Sequence, residues 1–146
     1  MHVPHEEWKN IAKKVPSLVA DCVCIENDRV LLVLRSHEPF KDHWCLPGGF
    51  VDFGERVKTA AEREFFEETG LSSKAGDLVG IYDDPKRDPR GHLVSLAFFM
   101  KRTGGKMKTS NETSDVKWFD VNEIPKKIVP SHILIIKDAL KVLGKK

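Results

Sequence analysis

The segment from Gly49 to Leu71 restricts this chain more than any other. It reads Gly-Phe-Val-Asp-Phe-Gly-Glu, then seven residues, then Arg-Glu-Phe-Phe-Glu-Glu-Thr-Gly-Leu. Glu64, Glu67 and Glu68 stand at i, i+3 and i+4, so a helix gathers their carboxylates on one side, where they repel unless a cation sits among them. Oxygen-only clusters suit Mg²⁺ or Mn²⁺, ions that usually accompany a phosphate substrate. At about 100° per residue, Glu64 and Glu68 fall in line with Val57, Ala60, Ala61 and Leu71, while Lys58, Glu62 and Thr69 read as the solvated side. An acidic helix is ordinarily a water-facing surface. The inward phase favours a metal site here, because carboxylates near a core must be paired, protonated or metal-bound.

The ends of this helix are marked. Pro47-Gly48-Gly49 signals a turn ahead of it, and Gly54 lets the chain turn again before Glu55. Glu55 lies where the helix dipole favours negative charge, and Gly70 suits a left-handed C-cap. A glycine loop of this kind brings backbone groups close to a metal or phosphate. Arg63 is out of line with the acids but reaches Glu55, which reads as a structural salt bridge.

The pattern Gly49, Glu55, Arg63, Glu64, Glu67, Glu68 and Gly70, with Phe65 and Leu71 in the apolar slots, resembles the Nudix box with every fixed position present. The resemblance extends from about Val19 through the final helix. It implies an α/β fold, the Nudix α/β/α sandwich with a mixed β-sheet. It also implies Mg²⁺ (or Mn²⁺) as cofactor, and attack of water on one phosphorus of a nucleoside diphosphate-linked substrate. By the same resemblance Glu64, Glu67 and Glu68 are metal ligands, and the backbone carbonyl of Gly48 or Gly49 adds another. Glu55 acts through a water or through Arg63. Many members use a further acid outside the box. Glu112 lies in a loop that could supply it, with Asp115 nearby, and each reads equally as a surface charge. The general base varies within the family and is not assigned.

Composition fits one compact domain spanning 1–146. The chain has 146 residues and 40% hydrophobic content, enough to fill a single core. A net charge of +2 is too small to point to nucleic acid. No apolar run is long enough to span a membrane, and Met1–Lys14 carries no signal-peptide pattern. Cys22 and Cys24 share a face of an expected strand and Cys45 adjoins Trp44. They read as buried reduced thiols, which suits a cytoplasmic protein.

Around the box, the pattern predicts a strand from Ser17 to Ile25, a hairpin turn at Asn27-Asp28 and a returning strand from Arg29 to Leu34. A polar loop leads to a short strand at Trp44-Cys45-Leu46. Beyond the box come strands at Ala75 to Tyr82 and His92 to Lys101, a turn at Gly104-Gly105, a strand at Asp115 to Phe119, and a helix from about Ser131 to Leu143.

Substrate choice rests on loops. Asp84 to His92 is a charged, proline-broken segment that reads by itself as a rigid surface loop held by an Arg–Asp pair. Its Arg87-Asp88-Pro89-Arg90-Gly91-His92 nevertheless looks like the ADP-ribose pyrophosphatase group of the family. Arg87 and Arg90 are then substrate-binding, as planar donors matched to phosphate oxygens. Arg35 faces either substrate or solvent. Trp8, Phe40 and Trp44 could stack a base, but core packing is the plainer reading. Pro130-Ser131-His132 resembles the same group, although a solvated histidine at a helix start is simpler. The expected activity is hydrolysis of ADP-ribose, a small-molecule nucleotide, to AMP and ribose 5-phosphate. One alternative is a MutT-like pyrophosphohydrolase of the 8-oxo-dGTP type. Another is a non-catalytic ADP-ribose sensor, which the whole box disfavours. Phe66 faces outward on the box helix, where the terminal helix or a partner would cover it; relatives that hydrolyse ADP-ribose are often dimers, so a homodimer is implied.

Overall fold

A computed structural model of the chain describes residues 3–144. The elements run α1 (His5–Ala12), β1 (Ser17–Val23), β2 (Ile25–Glu26), β3 (Arg29–Arg35), β4 (Trp44–Cys45), β5 (Gly48–Phe50), α2 (Val57–Thr69), β6 (Leu71–Tyr82), β7 (Leu93–Gly105), β8 (Thr113–Asp120) and α3 (Pro130–Val142). The sequence reading assigned no element to residues 5–12. That helix spans only eight residues, with Trp8, Ile11 and Ala12 as its apolar side chains, too short a run for periodicity to decide.

The strands form two sheets. One has the order β5-β1-β7-β6, with β1 and β7 parallel and the other neighbours antiparallel. The second pairs β3 with β2, β4 and β8, all antiparallel. This is the expected mixed α/β architecture. Period-2 alternation divides each strand between two cores. Ala20, Cys22, Leu31 and Val33 face a cluster that includes Ala60, Ala61 and Phe65 of α2. Val23, Val30, Leu32 and Ala97 face a second cluster with Ile135, Ile136 and Ala139 of α3. Among the described residues no helix is long and apolar enough to cross a membrane.

Several boundaries differ from the pattern reading. The first strand stops at Val23, and Ile25–Glu26 forms a separate strand of the second sheet. Asn27 and Asp28 make the expected hairpin turn, both at positive φ. Gly104 and Gly105 do not turn the chain. They continue β7 to pair with Ser72 and Leu71, so β6 begins at the end of α2. The reversal comes later, in residues 106–112.

That later reversal explains another correction. Gly70 caps α2 at φ 78, and the chain beyond it folds back so that Lys108 N–H donates to the Thr69 carbonyl at 2.9 Å. Thr69, read as solvated, is therefore fully buried. Its hydroxyl donates to the Phe65 carbonyl at 2.6 Å and accepts from Leu71 N–H at 3.1 Å. Glu62, read the same way, is half-buried and accepts Ala75 N–H at 2.8 Å. Phe66 remains exposed and is not covered by α3; the Lys108 ammonium lies 5.8 Å from its ring centroid. Replacing Thr69 by Val keeps the volume but leaves the buried Leu71 N–H without its acceptor, which should lower stability by about 1–3 kcal/mol in urea unfolding. A change within about 0.5 kcal/mol, as at an ordinary surface position, would show that this hydroxyl does not join the helix to the strand.

Candidate active site

The acids of α2 meet the glycine strand β5. Glu64 and Glu68 are buried, at 6% and 8% exposure. Gly48 N–H donates to Glu68 Oε1 at 2.8 Å. A β-carbon on Gly49 would stand 2.5 Å from Glu64 Cδ, so only glycine lets this backbone lie against the carboxylate. Glu112 comes from the far end of the sequence. The strand that begins after it, β8, pairs with β3 across an irregularity at Leu34/Arg35. Just beyond, Ser36 N–H donates to the Glu112 carbonyl at 3.2 Å, and Thr113 Oγ1 donates to the Glu68 carbonyl at 3.2 Å. The result is a set of carboxylate oxygens from Glu64, Glu68 and Glu112 within 4.8 Å of one another.

Burial is the main reason that Glu64 is pushed up to about 7, with the hydrogen bond from Arg63 opposing it. Glu68 is raised well above the usual carboxylate range, again chiefly by burial, opposed by Gly48 N–H and reinforced by the charges of Glu64, Glu112 and Asp21. Carboxylates crowded in this way suit an oxygen-ligated divalent cation. Glu67 is not part of the cluster. Its side chain is 53% exposed and lies 3.4 Å from Arg63 Nη1.

Arg63 organises the loop before the helix. Its Nε and Nη2 fork onto Glu55 at 2.8 and 2.9 Å, Nη1 donates to Glu64 at 2.7 Å, and Nη2 also donates to the Phe50 carbonyl at 3.0 Å. Those bonds, to Glu55 above all, hold its guanidinium still more firmly protonated. Glu55 in turn accepts Asp52 N–H at 3.0 Å. This pair fixes the approach of the Gly49 loop to α2. Asp115, the other acid considered outside the box, is exposed and accepts the neighbouring Val116 N–H at 2.8 Å.

The acids open onto a cavity of about 630 Å³ whose lining includes Arg35, Arg87, Arg90, Trp8 and Phe50. Arg90 pairs with Asp88 at 3.0 Å and lies 5.5 Å from the Phe50 ring centroid, on which Trp8 packs edge-on at 5.2 Å. Arg87 is half-buried, and its Nη2 is buried without a hydrogen-bond partner among the described residues. Arg35 donates through Nε to the Pro39 carbonyl at 2.7 Å, which leaves the rest of the guanidinium toward the cavity and His37. Trp8 and Phe40 line the cavity, whereas Trp44 packs on Phe119 at 4.7 Å.

Sequence reasoning missed Asp21 and underrated His132. Both line the same cavity. His132 is not a solvated helix-start residue: its Nδ1 accepts Leu46 N–H at 2.9 Å, and burial, reinforced by the nearby arginines, lowers its pKa against the pull of Asp21. The one signal available was an acid inside an otherwise apolar strand, Leu18-Val19-Ala20-Asp21-Cys22-Val23.

The NUDIX domain model matches residues 16–139. An ADP-ribose pyrophosphatase of Methanocaldococcus jannaschii is 40% identical over 126 residues, covering 86% of this chain and 74% of the relative. A bifunctional NMN adenylyltransferase/ADP ribose pyrophosphatase of Francisella tularensis, solved with AMP and a Mn ion, superposes with a TM-score of 0.80 at 27% identity over 95% of this chain. This chain spans 46% of that protein, under half its length. The NUDIX domain of Shewanella oneidensis NrtR, solved with ADP ribose, gives a TM-score of 0.79 at 25% identity, covering 97% of this chain and 99% of that one.

The raised Glu64 has a consequence for stability. In the cation-free protein its contribution is full below its ordinary value of 4.5 and is lost as the pH rises through about 7. The melting temperature of the protein in EDTA, minus that of Glu64→Gln, should therefore fall from about pH 5 to about pH 8. Added Mg²⁺ should cancel the fall. A flat difference would mean that Glu64 is not buried as an uncompensated carboxylate.

Proposed function

The chain belongs to the NUDIX domain family, and on that premise we propose that it hydrolyses ADP-ribose at the pyrophosphate, giving AMP and ribose 5-phosphate. The supporting observation is that one cavity joins the Glu64–Glu68–Glu112 cluster to Arg35, Arg87 and Arg90. Clustered carboxylates hold a divalent cation, and planar guanidiniums match diphosphate oxygens, so the two sets suit opposite sides of one pyrophosphate. The likeness to the M. jannaschii enzyme supports the same substrate.

In this reading residues 1–146 work as one domain with Mg²⁺ (or Mn²⁺) as cofactor. Glu64, Glu68 and Glu112 would hold the cation, with the Gly49 carbonyl as a further ligand. Glu67, outside that cluster, would join the set from the solvent side. Arg63 and Glu55 act by fixing Glu64 and the Gly49 loop. When bound, the cation neutralises the diphosphate and lowers the pKa of an attacking water. Arg87 and Arg90 orient the diphosphate, and the unpartnered Arg87 Nη2 gains an acceptor on binding.

The test is a product screen with Mg²⁺ over ADP-ribose, 8-oxo-dGTP, dinucleotides and sugar nucleotides. The highest kcat/KM is expected for ADP-ribose, with AMP and ribose 5-phosphate as products. Tight ADP-ribose binding without turnover of any of these compounds would overturn the enzyme reading. Glu68→Gln should lower kcat by about a hundredfold or more, because a bound cation contributes several kcal/mol to the transition state. Unchanged activity in that variant would refute its role as a ligand.

A further inference from the structure

We propose that Asp21 and His132 form a sugar-hydroxyl site that sets which nucleotides this chain accepts. The inference rests on the ADP-ribose reading above and goes beyond the acids and arginines that carry it.

Asp21 is the one carboxylate on the α3 side of β1, and its surroundings hold it in place. It is buried at 4% exposure, and the Ser95 hydroxyl of the adjacent strand donates to its Oδ2. His132 enters from the first turn of α3. Leu46 N–H donates to Nδ1, so the neutral ring carries its proton on Nε2. That Nε2 faces Asp21 Oδ1 at 3.9 Å, beyond hydrogen-bond reach. Nε2 makes no hydrogen bond among the described residues. A donor and an acceptor are thus held apart by separate anchors, and both line the cavity.

A hydroxyl fits this gap. Its oxygen accepts from Nε2–H and donates to Oδ1 from about 2.8 Å away from each, a triangle closed by the 3.9 Å separation. A phosphate oxygen cannot donate, and it would meet the Asp21 charge. The site is also close to the cation ligands: Asp21 stands opposite Gly48, whose N–H is bonded to Glu68. In a dinucleoside-type diphosphate a sugar follows each phosphate directly, while the base lies one sugar further away. Next to the cation ligands, the hydroxyls such a substrate can offer are those of its sugars.

Kinetics on deoxy analogues test this with the intact chain and Mg²⁺. One analogue lacks a hydroxyl on the adenosine ribose and the other lacks one on the distal ribose. Wild type should lose roughly tenfold or more in kcat/KM on one of the two, as expected for a hydrogen bond to a charged partner. His132→Asn keeps an acceptor near Leu46 N–H and deletes the Nε2 donor. It should lose a similar factor on ADP-ribose, mainly in KM, and no longer distinguish the analogue. Asp21→Asn should show the same loss of discrimination. Wild-type turnover of both analogues at the ADP-ribose rate would overturn the proposal. So would equal losses on every substrate in both variants, or a loss confined to the inosine counterpart, which lacks the adenine amino group. No turnover of ADP-ribose by wild type would be a different failure, that of the function on which the site rests, and would remove this inference with it.

Discussion

Two carboxylates on the core side of a helix are expensive to bury, and the surroundings of α2 are arranged around that cost. Glu68 is met by a backbone N–H of Gly48, and Glu64 by the guanidinium of Arg63. Neither contact neutralises the pair, because both carboxyls remain above their ordinary range and Glu112 adds a third acid. A divalent cation among the three carboxylates would offset this crowding. In the proposed reading, the stability of this region and its affinity for a divalent ion would be two views of the same electrostatic imbalance.

The fold brings to this point segments that are far apart in sequence. β1 pairs in parallel with β7 and antiparallel with β5, so Asp21 lies opposite Gly48 on one side and Ala97 on the other, with the Ser95 hydroxyl, two residues along β7, reaching its carboxylate. The second sheet delivers Glu112 through the pairing of β8 with β3, and α3 adds His132 through Leu46. Helix α2 carries Glu64 and Glu68 and β3 ends at Arg35, while Arg87 and Arg90 come from the loop between β6 and β7.

The box was legible because its information is local. Helical phase alone puts Glu64 and Glu68 inward, and Gly70 marks the end of the helix. Phase also misled at Thr69, since the chain segment 106–112 that covers it comes from far away and leaves no mark in the local pattern. The same limit applies to Glu112, which reads as a loop acid until β8 is paired with β3. Asp21 and His132 are more extreme: neither has a local partner, and their relation exists only once the strands and α3 are assembled. The arginine loop falls between these cases. Its charge and an Arg–Asp pair were visible, but the choice of Arg90 as the partner of Asp88 and the burial of Arg87 Nη2 required the structure.

The central claim is that acids from the box helix and from the β7–β8 connection hold one divalent cation together. Mn²⁺ binding followed by electron paramagnetic resonance, in the protein and in Glu112→Gln, tests it most directly. The variant should bind Mn²⁺ about tenfold or more weakly, as for loss of a charged ligand from an oxygen-only site. Equal affinity in the two proteins would contradict it.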